Sequence, residues 1–187
     1  MRLRNHTTGY GYLAIALHWL MAVLVIGLFA LGVYMMELDY YHPWYNTSVV
    51  WHYSLGLLTL FLLLFKLYWR LSNPVPAPLP SYRSWEVLAA KTVHWMTYYL
   101  LLLIGVSGYL ILGDEGESIP WFDLIEIPIL VNLASLTISL WGKVHQISAY
   151  ILAVFVILHI LAALKHHFYH RDVTLLRMLG LGKKQGE

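Results

Sequence analysis

The sequence contains no cysteine and few charged residues. None of its 187 residues is cysteine, which excludes disulfides, iron–sulfur clusters held by thiolates and catalytic thiols. Charged residues make up 12% of the chain and apolar residues 59%, with a mean hydropathy of +0.63. A typical soluble domain has about 25% charged residues. The composition therefore predicts a membrane protein surrounded by lipid, and the small net charge of +2 gives no indication of a nucleic-acid partner.

Long apolar runs predict four transmembrane helices. A crossing needs about 20 apolar residues, so the chain is long enough for four crossings and for little else. The predicted fold is an all-α, four-transmembrane-helix bundle that forms one domain over residues 1–187. The predicted spans cover about residues 11–36, 47–69, 85–112 and 140–168. We expect no cleavable signal peptide, because the first apolar run is too long and no small-residue cleavage site follows it.

Prolines, glycines and charged residues indicate where the links between the apolar runs lie. Residues 73–80 contain four prolines and cannot be helical, so they separate spans two and three. Glycines and carboxylates at residues 113–117 end span three. The segment 118–139 contains two prolines and one short apolar stretch. We expect it to lie at the membrane surface, because it is too short and too interrupted to cross.

Lysine and arginine are distributed unequally between the two sides. Four spans place both termini and the proline-rich link on one side, which carries eleven basic residues: Arg2, Arg4, Lys66, Arg70, Arg83, Lys91, Lys165, Arg171, Arg177, Lys183 and Lys184. The other side carries Lys143 and the carboxylates Glu37, Asp39, Asp114, Glu115, Glu117, Asp123 and Glu126. The positive-inside rule therefore predicts that both termini are cytoplasmic.

Ten histidines are the unusual feature of this composition. Five lie at or beyond the span ends, where solvation explains them: His6, His42, His166, His167 and His170. The other five lie inside the spans: His18, His52, His94, His145 and His159. Ionisable side chains at membrane depth are scarce and usually functional.

Four of the inner histidines form two pairs by depth. His18 and His159 lie about two turns from the cytoplasmic side, and His52 and His145 lie near the same level on the other side. His145 and His159 are 14 residues apart, so both leave the same face of span four with a rise of about 21 Å. Paired imidazoles at two levels predict two haem b groups, each with two axial histidines. Such iron has no open position for oxygen, which favours electron transfer.

Other interpretations of the histidines stay open. Four histidines that each hydrogen-bond to a neighbouring helix would need no cofactor, and a zinc or copper site would need its ligands within a few ångströms. His94 lies near the depth of His18 and His159. Spacing therefore allows His94 as a ligand, as a support of another ligand, as a partner of a haem propionate or as part of a quinone site. Candidate cations for the propionates are Lys91, Arg70 and Lys165 inside and Lys143 outside.

The chain resembles the prokaryotic cytochrome b561 family over nearly its whole length. The resemblance rests on an ordered set of segments: Ala16-Leu17-His18-Trp19-Leu20, His52 followed by Gly56, Val93-His94-Trp95, His145 with His159, and the tail residues 162–168 and 174–178. It implies two haems b in the bacterial inner membrane. Carried over residue by residue, it implies His18 and His159 as ligands of the cytoplasmic-side haem and His52 and His145 as ligands of the periplasmic-side haem. His94 then becomes a non-ligand.

The resemblance also implies a function. The best-described member is a superoxide oxidase, so we expect an electron-transferring oxidoreductase that connects a periplasmic donor with ubiquinone, with superoxide as one candidate donor. The predicted periplasmic loops carry seven carboxylates and one lysine. Their net negative charge repels an anion such as superoxide and attracts a cationic redox protein. Candidate quinone contacts are Tyr98, Tyr99, His94 and Lys91 inside, or Tyr45, Trp51 and Trp141 outside.

Two other functions compete with this one. A haem b membrane anchor of a periplasmic hydrogenase, dehydrogenase or reductase would share the same histidine-bearing bundle, and a fold does not fix a function. A non-redox transporter or metal-handling protein would purify without colour. Either haem interpretation predicts a red protein.

Overall fold

The computed structural model describes residues 3–7, 9–114, 118–122, 124–131 and 135–181. Four long helices dominate it: α1 (Tyr12–Met36), α2 (Tyr45–Ser72), α3 (Ser84–Ile111) and α4 (Ser135–Phe168). All four are long and apolar enough to cross a membrane. The prediction of four transmembrane helices is therefore confirmed, and the chain is a multi-pass membrane protein.

Two of the four helices have bounds that differ from the sequence prediction by two residues or more. Helix α2 begins at Tyr45, two residues early, and ends at Ser72, three residues late. Helix α4 begins at Ser135, five residues before the predicted start. No proline or glycine interrupts residues 129–141, so nothing in that stretch prevents the helix from starting early.

The segment between α3 and α4 contains a β-hairpin that the sequence did not predict. Strand β1 (Ser118–Trp121) pairs antiparallel with strand β2 (Ile125–Pro128), and Ile119 lies opposite Ile127. Isoleucines at alternate positions favour an extended conformation. The side chain of Ile119 is buried, so the hairpin packs its inner side on the bundle.

The hairpin is attached to α2 and α3 by hydrogen bonds. The indole Nε1 of Trp121 donates to the carbonyl oxygen of Ser54 at 2.9 Å, and the amide of Phe122 donates to the Ser54 hydroxyl at 3.2 Å. The Tyr109 hydroxyl donates to the carbonyl oxygen of Pro128 at 2.8 Å and accepts from the amide of Leu130 at 2.8 Å. These bonds fix the hairpin at the end of the bundle where α2 begins and α3 ends.

The opposite end is closed by the C-terminal helix α5 (Thr174–Met178). The indole Nε1 of Trp19 donates to the carbonyl oxygen of Met178 at 2.8 Å, which ties α5 to α1. The hydroxyls of Tyr82 and Thr174 are hydrogen-bonded to each other, which ties α5 to the link before α3. Burial, the largest influence, raises the pKa of the Tyr82 phenol.

The four helices pack unequally. Helix α3 packs most extensively on α4, and α2 packs on both α1 and α3, whereas α1 meets α4 at few points. Few apolar side chains are fully buried among the described residues of the helices: Leu17, Met21, Leu63, Leu100 and Leu152. Most other apolar side chains lie on the outside, where a bilayer would cover them.

Candidate haem sites

The bundle brings the predicted histidine pairs together. The ring centres of His52 on α2 and His145 on α4 lie 6.2 Å apart, with 69° between the ring planes. The ring centres of His18 on α1 and His159 on α4 also lie 6.2 Å apart, with 60° between the planes. We call the first pair the outer pair and the second the inner pair.

This separation suits a metal held between two imidazoles. With metal–nitrogen bonds of about 2.0 Å and about 1.2 Å from each ring nitrogen to its ring centre, opposed imidazoles have centres about 6.4 Å apart. Both pairs are separated by 6.2 Å. The residues present therefore fit the iron of a haem at each level.

Glycines make room for the outer pair. A Cβ atom on Gly32 of α1 would lie 3.1 Å from Cε1 of His52, and one on Gly108 of α3 would lie 3.2 Å from Cε1 of His145. Both distances are shorter than ordinary van der Waals contact between carbon atoms. Gly56 follows His52 by one turn on the same face, and a Cβ atom there would meet nothing within 4 Å. The face of α2 beside His52 is thus open to a flat group.

Hydrogen bonding leaves ring nitrogens available in the outer pair. Nδ1 of His145 lies 3.0 Å from the carbonyl oxygen of Ile104 and donates to it. That bond places the proton on Nδ1 and leaves the Nε2 lone pair for a metal. Nδ1 of His52 is buried without a hydrogen-bond partner among the described residues. A buried polar atom left unpaired costs about 1–3 kcal/mol, so a further group that pairs with this nitrogen would stabilise the outer pair.

Every long helix carries a pair of residues 14 positions apart that belongs to these two levels. The four pairs are His18 and Gly32 on α1, His52 and Lys66 on α2, His94 and Gly108 on α3, and His145 and His159 on α4. Fourteen residues make nearly four turns, so both members of a pair leave one face of their helix, about 21 Å apart. The predicted pairing of histidines rested on this spacing in α4 only. Applied to all four helices, it would have assigned the glycines and Lys66 to the sites.

His94 belongs to the inner level. Its ring centre lies 5.9 Å from that of His159, which is close to the 6.2 Å between His18 and His159. His159 therefore lies beside both His18 and His94. Like the sequence spacing, this distance is compatible with His94 as a haem ligand. Its role as a non-ligand stays a prediction from the family.

The other residues predicted to contact a haem propionate or a quinone differ in their exposure and packing. The Arg70 guanidinium lies 5.8 Å from the ring centre of Trp95 and 5.6 Å from that of Tyr98, so it stacks on α3. Lys91, Lys165 and Tyr99 have exposed side chains. Lys143 is exposed and lines a cavity of about 340 Å³ with Thr137, Ser139 and Leu140. Tyr45 and Trp141 are half-buried, and Trp51 is exposed.

The sequence as a whole decides which family this fold and these sites belong to. Residues 9–181 match the family described as prokaryotic cytochrome b561. The chain belongs to that family. It is 40% identical to cytochrome b561 homolog 2 of Escherichia coli (strain K12) over 180 residues, which is 96% of each chain.

Two further relatives cover most of the chain. The protein is 33% identical to the probable superoxide oxidase CybB of Yersinia pestis over 183 residues, which is 95% of this chain and 98% of that one. It is 26% identical to cytochrome b561 homolog 1 of Escherichia coli (strain K12), over 88% of this chain and 93% of the other. The resemblance inferred from the sequence motifs is confirmed. This cytochrome b561 is a membrane electron-transfer protein, and its family implies that it binds haem b.

Proposed function

We propose that this cytochrome b561 binds two haems b and transfers electrons from a periplasmic donor to ubiquinone in the bacterial inner membrane. The observation that carries the proposal is the pair of matched distances: 6.2 Å between the imidazoles of the outer pair and 6.2 Å between those of the inner pair. His52 and His145 are the proposed ligands on the periplasmic side. His18 and His159 are the proposed ligands on the cytoplasmic side.

The proposed orientation follows the positive-inside rule, with both termini in the cytoplasm. Helix α4 supplies one ligand to each level, so it fixes the two levels about 21 Å apart along its axis. Ile104 holds the imidazole of His145 in one tautomer, and Gly32 and Gly108 leave space around the outer rings. When bound, each haem b would supply a one-electron centre, and a ligand set of two histidines would keep oxygen from binding.

Superoxide is the proposed electron donor. The name of the Yersinia pestis relative supports this choice. In the balanced reaction, two superoxide ions lose one electron each and become dioxygen, and ubiquinone takes up the two electrons and two protons to form ubiquinol. Lys143, two residues before His145, is the proposed local attraction for the anion. Glu37, Asp39 and Glu126 oppose it, whereas Glu115, Glu117 and Asp123 lie outside the described residues.

The purified protein tests this proposal directly. We expect two haems b per chain by pyridine haemochrome assay, rapid reduction of both by a superoxide source, and reoxidation by a ubiquinone analogue. Superoxide dismutase added beforehand must abolish the reduction. If both haems are present but superoxide does not reduce them, superoxide is not the donor and the protein remains an electron carrier with another donor. Fewer than two haems per chain would contradict the site assignment.

One structural observation favours a second function, that of a membrane anchor for a periplasmic redox enzyme. The hairpin and the residues after it expose large apolar side chains: Leu124 at 81%, Ile125 at 58% and Leu130 at 80%. Exposed apolar side chains close together mark protein or membrane contacts. Co-purification of a larger redox subunit, with cross-links to residues 118–131, would favour this function.

A further inference from the structure

Lys66 is a cation within the bundle that no described carboxylate neutralises. It lies on α2, six residues and less than two turns before Ser72, where the helix ends, and its side chain is half-buried. Throughout the described ranges the only ion pair joins His166 to Asp172. A lysine that faced lipid or solvent at this depth would extend to the interface, so a half-buried, unpaired Lys66 indicates a role inside the protein.

The position of Lys66 directs it toward the inner pair. It follows His52 by 14 residues, as His159 follows His145, so it leaves the same face of α2 as His52. Lys66 also lies close enough to act electrostatically on His18, His94 and His159. The inner level thus receives one nitrogen-bearing side chain from each of the four helices.

Among the residues that the structure describes, the outer level has no equivalent cation inside the bundle, since Lys143 is exposed. The residues that occupy its corresponding positions on α1 and α3 are Gly32 and Gly108. Arg70, the next cation on α2, stacks on Trp95 and Tyr98. The two levels therefore differ by one positive charge that lies inside the bundle, although their imidazole pairs have the same separation.

We propose that Lys66 is the fixed positive charge that raises the reduction potential of the inner redox site above the value that its two imidazoles alone would give. This inference rests on the proposed function. Gaining an electron lowers the charge of a site by one, so a nearby cation favours the reduced state. The effect is strong in the protein interior, where the dielectric constant is low. A higher potential at the inner level favours electron movement from the periplasmic side toward the cytoplasmic side.

Spectroelectrochemical titration of the purified holoprotein tests the role of Lys66. The component that disappears in His159→Ala identifies the inner site. We expect Lys66→Met to make the inner site at least tenfold harder to reduce, which is a fall of about 59 mV for one electron. The outer component should keep its potential. Lys66→Arg, which retains the charge, should stay close to the wild-type value.

Arg4→Met is the control, because it removes one positive charge from the same side of the protein but from an exposed position with no proposed role at either site. It should leave both potentials unchanged. An unchanged inner potential in Lys66→Met, with both haems bound, overturns the inference and leaves the proposed function intact. Loss of the inner haem in both Lys66→Met and Lys66→Gln, but not in Lys66→Arg, overturns it in favour of a role in holding the cofactor. Fewer than two haems in the wild-type protein contradicts the proposed function itself.

Discussion

Gly32 of α1 faces the imidazole of His52 on α2 so closely that a Cβ atom at position 32 would lie 3.1 Å from Cε1 of the ring. The contact joins two helices at the level of the outer pair. A Cβ atom at position 32 would require the His52 ring to shift from its present position, in which its centre lies 6.2 Å from that of His145. Gly32 is therefore part of the outer site although it has no side chain to bind a ligand.

The first prediction concerns this contact. Gly32→Val should displace the His52 ring and deplete the outer haem while the inner haem stays bound, because overpacking a close contact costs about 1–3 kcal/mol. Gly27→Val is the matched control on the same helix, since a Cβ atom at Gly27 would meet nothing within 4 Å. Haem content and the visible spectrum of the reduced proteins measure the difference. Equal depletion in the two variants would show that valine disturbs α1 as a whole.

The second prediction concerns the ligands on α4. His145→Ala and His159→Ala should each remove one haem, because each variant takes one imidazole from one pair and leaves the other pair intact. The pyridine haemochrome assay should give half the wild-type haem in either variant. A full complement of haem in either variant contradicts the proposed ligand pairs.

His94 supplies the corresponding control at the inner level. Its ring centre lies 5.9 Å from that of His159, so its neighbourhood resembles that of His18. We predict that His94→Ala keeps both haems and that His18→Ala loses the inner one. The opposite result would show that the inner haem is bound by His94 of α3 and not by His18 of α1.

The helices and the depths of the histidines could be predicted because both depend on distance along the chain. Apolar runs of about 20 residues measure a bilayer, and a rise of 1.5 Å per residue converts sequence position into depth. The rotation of each helix about its axis could not be predicted in the same way. These helices expose apolar side chains to lipid over much of their surface, so the apolar pattern gives little indication of which side faces a neighbour.

The features without a predicted role depend on contacts between elements. From the sequence, Lys66 served only as one of the basic residues that indicate orientation. Its place at the inner level depends on the packing of α2 against the other helices. The hairpin has two strands of four residues each, too short for a reliable strand signal. Its stability depends on Ser54, which is more than sixty residues away in the sequence.

The third prediction concerns the attachment of that hairpin. Trp121→Phe removes the hydrogen bond from the indole to the Ser54 carbonyl, which should cost about 1 kcal/mol and increase opening of the hairpin about fivefold. Hydrogen exchange at the amide of Phe122, which donates to the Ser54 hydroxyl, reports the opening. Trp44→Phe is the control, because the Trp44 side chain is 56% exposed. Unchanged exchange in Trp121→Phe would show that this hydrogen bond does not hold the hairpin.

The last prediction concerns Asp172, which connects α4 with α5. Its carboxylate accepts from Nδ1 of His166 at 2.7 Å and from the amide of Thr174 at 2.9 Å. Burial alone would raise the pKa of Asp172, but the hydrogen bonds from Thr174 and His166 outweigh it and hold the pKa below its ordinary value of 3.8. A lowered pKa means that the stabilisation is complete above pH 3.8 and is lost as the pH falls through the pKa of the folded protein.

Asp172→Asn should therefore loosen α5 at neutral pH, where the wild-type carboxylate is ionised. We expect faster hydrogen exchange at the amide of Thr174 and no change at the hairpin. Asp39→Asn is the matched control, since Asp39 also accepts from a nearby backbone amide, that of Tyr41 at 2.8 Å, but lies far from α5 in the sequence. Because the bond to Thr174 needs the charge to reach full strength, wild-type protection should hold down to about pH 4 and fall only below it. Protection in Asp172→Asn equal to that of the wild type would mean that the contacts of Trp19 and Tyr82 suffice to hold α5 in place.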